Sequence, residues 1–234
     1  MRLHNFFVED KIAEKRNVIT RDRDLIHQWR NVLRLNTGSL VVLLDNSGYE
    51  YLSQITSLLP YEAHLTINKI RRNRNLPPRI VHLYQSLIKR DRFEWAIEKG
   101  TELGVSHFHP VVASRSLKTR FDMKRVSTIA KEAAEQSGRG VLPNVFSPLP
   151  LESVLDNFDF PVYVLHSDGR AMKEEVFRAS STPATLGFFI GPEGGWTDQE
   201  LKLFRERGIE ILSLGNLTLR SETAAIAAAV LALV

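Results

Sequence analysis

Two charged residues, Arg220 and Glu222, open an alanine-rich segment at the end of the chain. Ser221 is a suitable helix N-cap, and the dipole of a helix starting here would favour an ionised Glu222 in its first turn. An arginine suits neither role. We therefore expect Arg220 to face an anion or a carboxylate, where its forked N–H donors stabilise negative charge. Plain helix capping is the alternative for Ser221 and Glu222.

Three loops could place a ligand near these charges. A turn with three glycines, residues 191–195, follows an apolar run that predicts a buried strand. Its backbone N–H groups can approach a ligand without interference from side chains. Residues 166–169 and Gly215 follow two further predicted strands. Because ligands bind beyond the carboxyl ends of parallel strands, the loops predict one crevice. The alternative for each loop is an ordinary tight turn.

The sequence limits the ligand. It contains neither the P-loop pattern nor GxGxxG, and the glycine turn has no lysine for phosphates. Backbone groups with apolar contacts from Ile190, Leu214 and Leu219 suit an adenosine or another aromatic heterocycle. No HExxH or GxSxG motif is present, so we expect neither a metal site nor a serine hydrolase. Strand alternation should point His107 and His109 to one face.

The elements around these loops indicate two domains. Residues 1–72 have short β-forming runs separated by turn signals and one helix near residues 22–32, which suits a small β-barrel. A basic, polar linker at 73–78 ends in two prolines. Residues 79–234 alternate strands and helices, which predicts an α/β fold with a mostly parallel sheet and helices on both faces. Gly104 should end one helix, and Asp122 should begin another.

Composition restricts the class of protein. The chain is 43% apolar and contains no cysteine, which allows a core and excludes disulfides and thiolate metal sites. No secretion signal is apparent, and the apolar run at 224–234 is too short for a bilayer. A cytoplasmic protein without a membrane partner is expected. Residues 1–120 carry 20 Lys and Arg against 12 Asp and Glu, which favours RNA binding; a solvated surface of mixed charge is the alternative.

Several motifs together resemble the RsmE family of 16S rRNA uracil-N3 methyltransferases in the SPOUT superfamily. The strongest are Ile-Gly-Pro-Glu-Gly-Gly at 190–195 and Leu-Arg-Ser-Glu-Thr-Ala at 219–224. Supporting matches lie at 32–38, 99–105 and 132–139. The resemblance covers essentially the whole chain. It implies an N-terminal PUA-like barrel (1–72) and a SPOUT methyltransferase domain (79–234) with a trefoil knot.

The resemblance also implies a reaction and partners. It implies S-adenosylmethionine as cofactor, S-adenosylhomocysteine as product and no metal. The substrate would be a uridine in the decoding region of 16S rRNA, methylated at N3 in the assembled or assembling small ribosomal subunit. The protein would be a homodimer. The family often has Pro-Arg at 216–217, a basic residue at position 5 and phenylalanine at 196, where this chain has Asn216, Leu217, Asn5 and Trp196.

The loops and the resemblance together nominate three groups of residues. The catalytic candidates are Arg220, Glu222 and Glu193. The cofactor-binding candidates are Leu165, His166, Ile190, Gly191, Pro192, Gly194, Gly195, Leu214, Gly215, Leu219 and Thr223. The RNA-binding candidates are Arg2, His27, Arg34, Lys89, Arg90, Arg92 and Arg115.

The mechanistic hypothesis concerns uracil N3, which is a poor nucleophile until it loses its proton. Arg220 would stabilise the uracil anion. Glu222 would orient Arg220 rather than accept the proton, and Glu193 is the other candidate base. Two other functions are considered: a non-catalytic RNA-binding protein with the same fold, and an ordinary doubly wound nucleotide-dependent enzyme, which the missing GxGxxG disfavours.

Overall fold

The computed structural model describes residues 3–118, 120–155, 158–172 and 184–234. The chain divides into two compact units. The first comprises Met1–Leu76 with Ala134–Leu142, and the second comprises Pro77–Ala133 with Pro143–Val234. None of the described helices combines the length and apolarity needed to cross a bilayer.

The first unit is built on a five-stranded sheet with the order β1-β3-β4-β5-β2. The hydrogen-bonded path is open between β1 and β2 in the described residues, so the sheet is half of a barrel. A short helix, α1, lies in the range predicted for one; its N-cap is Asp22, and it continues into a π-helical turn. The bounds are β1 Asn5–Phe7, β2 Asn17–Thr20, α1 Arg23–His27, the π-turn Gln28–Val32, β3 Leu40–Leu44, β4 Tyr49–Leu58 and β5 Ala63–Arg72.

The core of this unit surrounds Trp29, which is fully buried and meets Phe6 edge-on with ring centroids 5.4 Å apart. The predicted linker begins as part of the same unit. Its first residue, Asn73, is buried and donates hydrogen bonds to the Glu50 carboxylate (3.1 Å) and the Gly138 carbonyl (2.9 Å). Both bonds come from Asn73 Nδ2, and the Oδ1 atom of the same amide accepts from the Asn75 N–H at 2.8 Å.

The second unit confirms the predicted mostly parallel α/β fold. Its sheet has the order β12-β10-β11-β6-β7-β8, with β9 also on β7, and all of these pairs are parallel. The strands are β6 Ile80–Ser86, β7 His107–Val112, β8 Asn144–Val145, β9 Leu149–Pro150, β10 Val162–Ala171, β11 Thr185–Ile190 and β12 Glu210–Ser213. The helices are α2 Arg90–Leu103, α3 Met123–Ser137, α4 Leu151–Val154, α5 Asp198–Glu206 and α6 Ser221–Leu233.

Both faces of this sheet are covered, as predicted, because side chains alternate along the buried strands. On β11, Phe188 joins a core that includes residues of α2, α3 and α6, whereas its neighbour Phe189 packs with Trp196 and Phe204 of the α5 side. The predicted helix ends are also confirmed. Gly104 ends α2 in the left-handed region (φ 108°), and the Asp122 carboxylate accepts from the Arg125 N–H at 3.0 Å.

Candidate active site

The three predicted loops lie at neighbouring strand ends, because β12, β10 and β11 are adjacent in the sheet. They enclose a cavity of about 390 Å³, within the usual size of small-molecule sites. One boundary was predicted wrongly. We expected the first of these strands to end at Leu165, but β10 runs to Ala171, and its register against β12 shifts between Leu165 and Arg170. Residues 166–169 are therefore an irregular stretch of strand.

Most of the predicted cofactor-binding residues line this cavity: Leu165, His166, Ile190, Gly191, Pro192, Gly195, Leu214, Gly215 and Leu219. Glu193 and Arg220 line it too. Gly194 and Thr223 are not among the lining residues. Further lining residues, which the sequence does not point to as cofactor ligands, are Arg92, Ser167, Trp196, Ser213, Leu217, Thr218, Ser221 and Ala224.

Trp196 forms the floor of the glycine turn. The indole is 97% buried and its Nε1–H donates to the Leu165 carbonyl at 3.2 Å, which joins the turn to β10. A Cβ at Gly191 would lie 3.1 Å from the indole nitrogen, so this glycine is needed for close packing. Gly195 closes the turn by donating to the Pro192 carbonyl at 2.8 Å, with φ at +69°.

Ser221 does not cap α6, contrary to the sequence prediction. The N-cap is Arg220, which makes no side-chain capping bond. The Ser221 hydroxyl donates to the Gly191 carbonyl (2.6 Å) and accepts from Gln85 Nε2 (2.9 Å). Because Ser221 is buried, this hydroxyl ties the glycine turn and the end of β6 to the start of α6. The contact with Gly191 spans 30 residues and the contact with Gln85 spans 136, so no local sequence pattern signals either of them.

Replacing Ser221 by alanine should destabilise the protein by roughly 1–3 kcal/mol, because it leaves buried polar groups without their partner. The free energy of unfolding in urea measures this loss. Ser167→Ala is the matched control, since among the described residues the exposed Ser167 hydroxyl bonds only to Asp168, and its removal should change stability by less than about 0.5 kcal/mol. Equal values for the two variants would contradict the role assigned to Ser221.

Arg92 lies between the two candidate carboxylates. Its guanidinium donates to Glu193, and its Nε is 3.7 Å from Glu222 Oε1. Glu222 is 92% buried, yet its Oε2 has no hydrogen-bond partner in the described part of the chain. Arg220 is exposed and has no partner among the described residues. The predicted contact between Glu222 and Arg220 is thus not formed, and Arg92 takes that position instead.

The loop after β12 offers free backbone donors. The N–H groups of residues 216–220 have no hydrogen-bond partner in the described ranges, and all five residues are exposed. Apolar side chains of Leu165, Ile190, Leu214 and Leu219 line the same cavity. An apolar wall beside unpaired backbone groups suits a flat heterocycle with polar edges.

The candidate RNA-binding residues differ in whether their side chains already have a hydrogen-bonding or ion-pair partner. Lys89 pairs with Asp91 (3.1 Å), Arg90 with Glu94 (2.7 Å), and Arg115 donates to the Gly194 carbonyl (2.7 Å). In the first unit, the His27 ring is 2.8 Å from the Asn31 amide, and Arg34 is exposed with φ at +52°. Arg2 lies outside the described residues.

Three histidines stack on the α4–α5 face of the sheet, as the alternation of His107 and His109 predicts. His82 Nδ1 lies 3.0 Å from His109 Nε2, and the His107 ring is 4.2 Å from the His82 ring. Burial, followed by the neighbouring histidines, lowers the pKa of His82 to about 4 and of His109 to about 3. Within the described ranges, no group of three or more His, Asp or Glu residues has a metal-binding arrangement.

These depressed pKa values predict a loss of stability in mild acid. The unfolded chain binds protons from about pH 6.5, whereas folded His82 and His109 stay neutral to about pH 4 and about pH 3. Their contribution is therefore fully present above pH 6.5 and is lost as the pH falls below it. The melting temperature of His109→Phe should fall less between pH 7 and pH 4.5 than that of the unchanged protein. His27→Gln, at an exposed site, is the control; the same fall in all three proteins would contradict this assignment.

The second unit matches a known protein family. A family model described as an RNA methyltransferase domain matches residues 75–233. Two relatives share the same name, ribosomal RNA small subunit methyltransferase E. The Bacillus subtilis protein is 34% identical over 213 residues, covering 85% of this chain and 83% of its own length. The Synechocystis protein is 32% identical over 205 residues, covering 85% and 67%. The chain belongs to the ribosomal RNA small subunit methyltransferase E family.

Solved structures agree with this assignment. The methyltransferase E of Neisseria gonorrhoeae bound to S-adenosyl methionine has a TM-score of 0.88 and 28% identity, and the match covers 97% of this chain and 95% of that one. A Legionella pneumophila protein in complex with the bound cofactor SAM has a TM-score of 0.87 and 25% identity, and the match covers 98% and 96%.

Proposed function

We propose that this protein transfers a methyl group from S-adenosylmethionine to N3 of a uridine in the decoding region of 16S rRNA. The observation that carries the proposal is the cavity at the ends of β10, β11 and β12, in a chain of the methyltransferase E family. Its relatives are named as small-subunit ribosomal RNA methyltransferases, and one of them was solved with this cofactor.

The cavity suits this cofactor. The unpaired N–H groups of residues 216–220 and the apolar wall of Leu165, Ile190, Leu214 and Leu219 would hold its adenine. The glycine turn leaves room for close backbone approach, and the Trp196 indole fixes that turn to β10. Bound there, the cofactor supplies an electrophilic methyl group on a sulfonium. S-adenosylhomocysteine is the expected product, and no metal is required.

Arg220 is the proposed stabiliser of the uracil anion. Its guanidinium has no partner in the described residues and lies at the edge of the cavity, so it is available to a carbonyl oxygen that gains negative charge. The two acids differ. Glu193 is engaged by Arg92, whereas Glu222 keeps one oxygen unpaired. Glu222 is therefore the better candidate to accept the N3 proton, while the N3 lone pair forms the new bond to carbon.

The remaining features of the proposal rest on the family resemblance. They are a PUA-like barrel formed by residues 1–72, a trefoil knot in the SPOUT domain, residues 79–234, and a homodimer. The basic residues of both units would bind the phosphates of 16S rRNA in the assembled or assembling small subunit. The half-barrel of the first unit and the parallel sheet of the second are compatible with this architecture.

Two measurements test the proposed function. Isothermal titration with S-adenosylmethionine should show binding, which a purely RNA-binding protein of this fold need not show. Mass-spectrometric mapping of 16S rRNA from cells that lack the protein should show the loss of one N3-methyluridine, which purified protein and cofactor then restore. Fully modified rRNA from those cells, with no binding of the cofactor, would refute the proposal and support the non-catalytic alternative.

A further inference from the structure

We propose that a shallow depression beside the cofactor cavity is the subsite for the target uracil, and that Trp95 is its stacking surface. This inference rests on the proposed function and names the residues that select the base. The depression shares Arg92 and Arg220 with the cavity, so the two are contiguous. Its lining residues are Lys89, Asp91, Arg92, Trp95, Arg220, Glu222 and Thr223.

Trp95 is the first reason for this assignment. It is 41% exposed, although tryptophan side chains are usually buried, and its indole N–H has no partner among the described residues. It lies one turn after Asp91 and Arg92 on α2, so its ring shares their side of the helix. An exposed indole in a concavity provides a flat surface on which a nucleobase can stack.

The charge of the depression is the second reason. The N-termini of α2 and α6 both open onto it through their caps, Lys89 and Arg220, and each helix dipole adds positive potential. Asp91 pairs with Lys89, and Glu193 and Glu222 both face Arg92. Among the described residues that line the depression, Arg220 is the cation without a carboxylate partner. A ligand that gains negative charge is favoured here, as uracil does when N3 loses its proton.

The hydrogen-bonding groups match one base. The edge of uracil presents an N3–H donor between two carbonyl acceptors. In the depression, the unpartnered Oε2 of buried Glu222 is an acceptor and the guanidinium of Arg220 is a donor. Cytosine has no N3–H, so it would place a lone pair against the Glu222 carboxylate. A site with such a buried acceptor therefore rejects cytosine.

Three substitutions at Trp95 distinguish stacking on an aromatic ring from the filling of apolar volume. Trp95→Phe keeps a stacking face, Trp95→Leu keeps apolar volume without one, and Trp95→Ala removes both. Methyl incorporation is measured with small subunits from cells that lack the protein. Trp95→Phe should stay close to the unchanged protein in kcat/KM for the subunit, while the Leu and Ala variants should lose about tenfold or more. The Kd for S-adenosylmethionine should be unaltered in all three variants.

A direct binding measurement tests the subsite independently of catalysis. Uridine 5′-monophosphate should bind the unchanged protein and Trp95→Phe more tightly than cytidine 5′-monophosphate does, and Trp95→Leu should bind both nucleotides about tenfold more weakly. Unchanged kcat/KM in Trp95→Ala would overturn the inference, as would a loss that tracks a changed sedimentation coefficient, which would assign Trp95 to a contact between subunits. Failure of the unchanged protein to bind S-adenosylmethionine would instead refute the proposed function, and the nucleotide titration would still decide the subsite.

Discussion

Replacing Arg220 by alanine should lower kcat by about 10²–10³-fold at saturating substrates, the usual loss when one donor to a developing anion is removed. The guanidinium is exposed and has no partner among the described residues, so folding should not depend on it. Single-turnover methyl transfer to small subunits measures the chemical step. A wild-type rate in this variant would remove Arg220 from the mechanism.

Chemical rescue distinguishes charge stabilisation from an indirect effect. Added guanidinium ions should restore part of the rate of Arg220→Ala, because a free cation can occupy the vacated position. Arg220→Lys should show an intermediate rate, since it retains the charge without the forked donors. Arg170→Ala is the matched control: Arg170 is also exposed but pairs with Glu210 (2.8 Å), and its loss should leave kcat unchanged.

RNA affinity should fall steeply with salt. If four phosphates are neutralised, the dissociation constant should rise roughly a hundredfold between 50 mM and 200 mM monovalent salt, because each contact releases condensed counterions. Filter binding of small-subunit RNA across this range measures the slope. A flat affinity would exclude the proposed phosphate contacts and leave the positive balance of residues 1–120 as a solvated surface.

Arg34 is the best single residue with which to examine that slope. Lys89, Arg90 and Arg92 already have carboxylate partners, whereas the Arg34 side chain is exposed and without a partner in the described ranges. Arg34→Ala should reduce the log–log salt slope by about one and weaken all RNA sequences equally. Arg170→Ala again serves as the control, and the same slope in the two variants would contradict phosphate binding by Arg34.

Local features could be predicted from the sequence because their causes are local. Alternating apolar runs predict the strands. Gly104 and Asp122 predict helix ends, because a left-handed C-terminal cap and an N-cap each depend on a single residue. The glycine turn after β11 was evident for the same reason. Adjacent loops followed from a general rule about parallel sheets, and the observed strand order confirms their adjacency.

The side-chain contacts of the site could not be predicted in this way. Arg92 and Glu193 are 101 residues apart, and nothing in the spacing of either residue indicates the other. In sequence, Arg92 is one cation in a basic run, which favours a contact with RNA. Ser221 was read as a cap because capping is the common local use of serine before a helix, whereas its hydroxyl bonds to two distant segments. The extension of β10 depends on pairing with β12, which follows it by some 40 residues.

Each of the two units has a buried tryptophan, so tryptophan fluorescence can follow the unfolding of both. Trp29 is completely buried in the first unit, and Trp196 is buried in the second. Because each unit has its own apolar cluster, the two can lose structure at different temperatures, and a single melting temperature would then average two events. With Trp95 replaced by phenylalanine, one buried tryptophan would remain in each unit, so the summed emission would show two transitions if the units unfold at different temperatures. Thermal data on any variant of this chain should therefore be interpreted unit by unit.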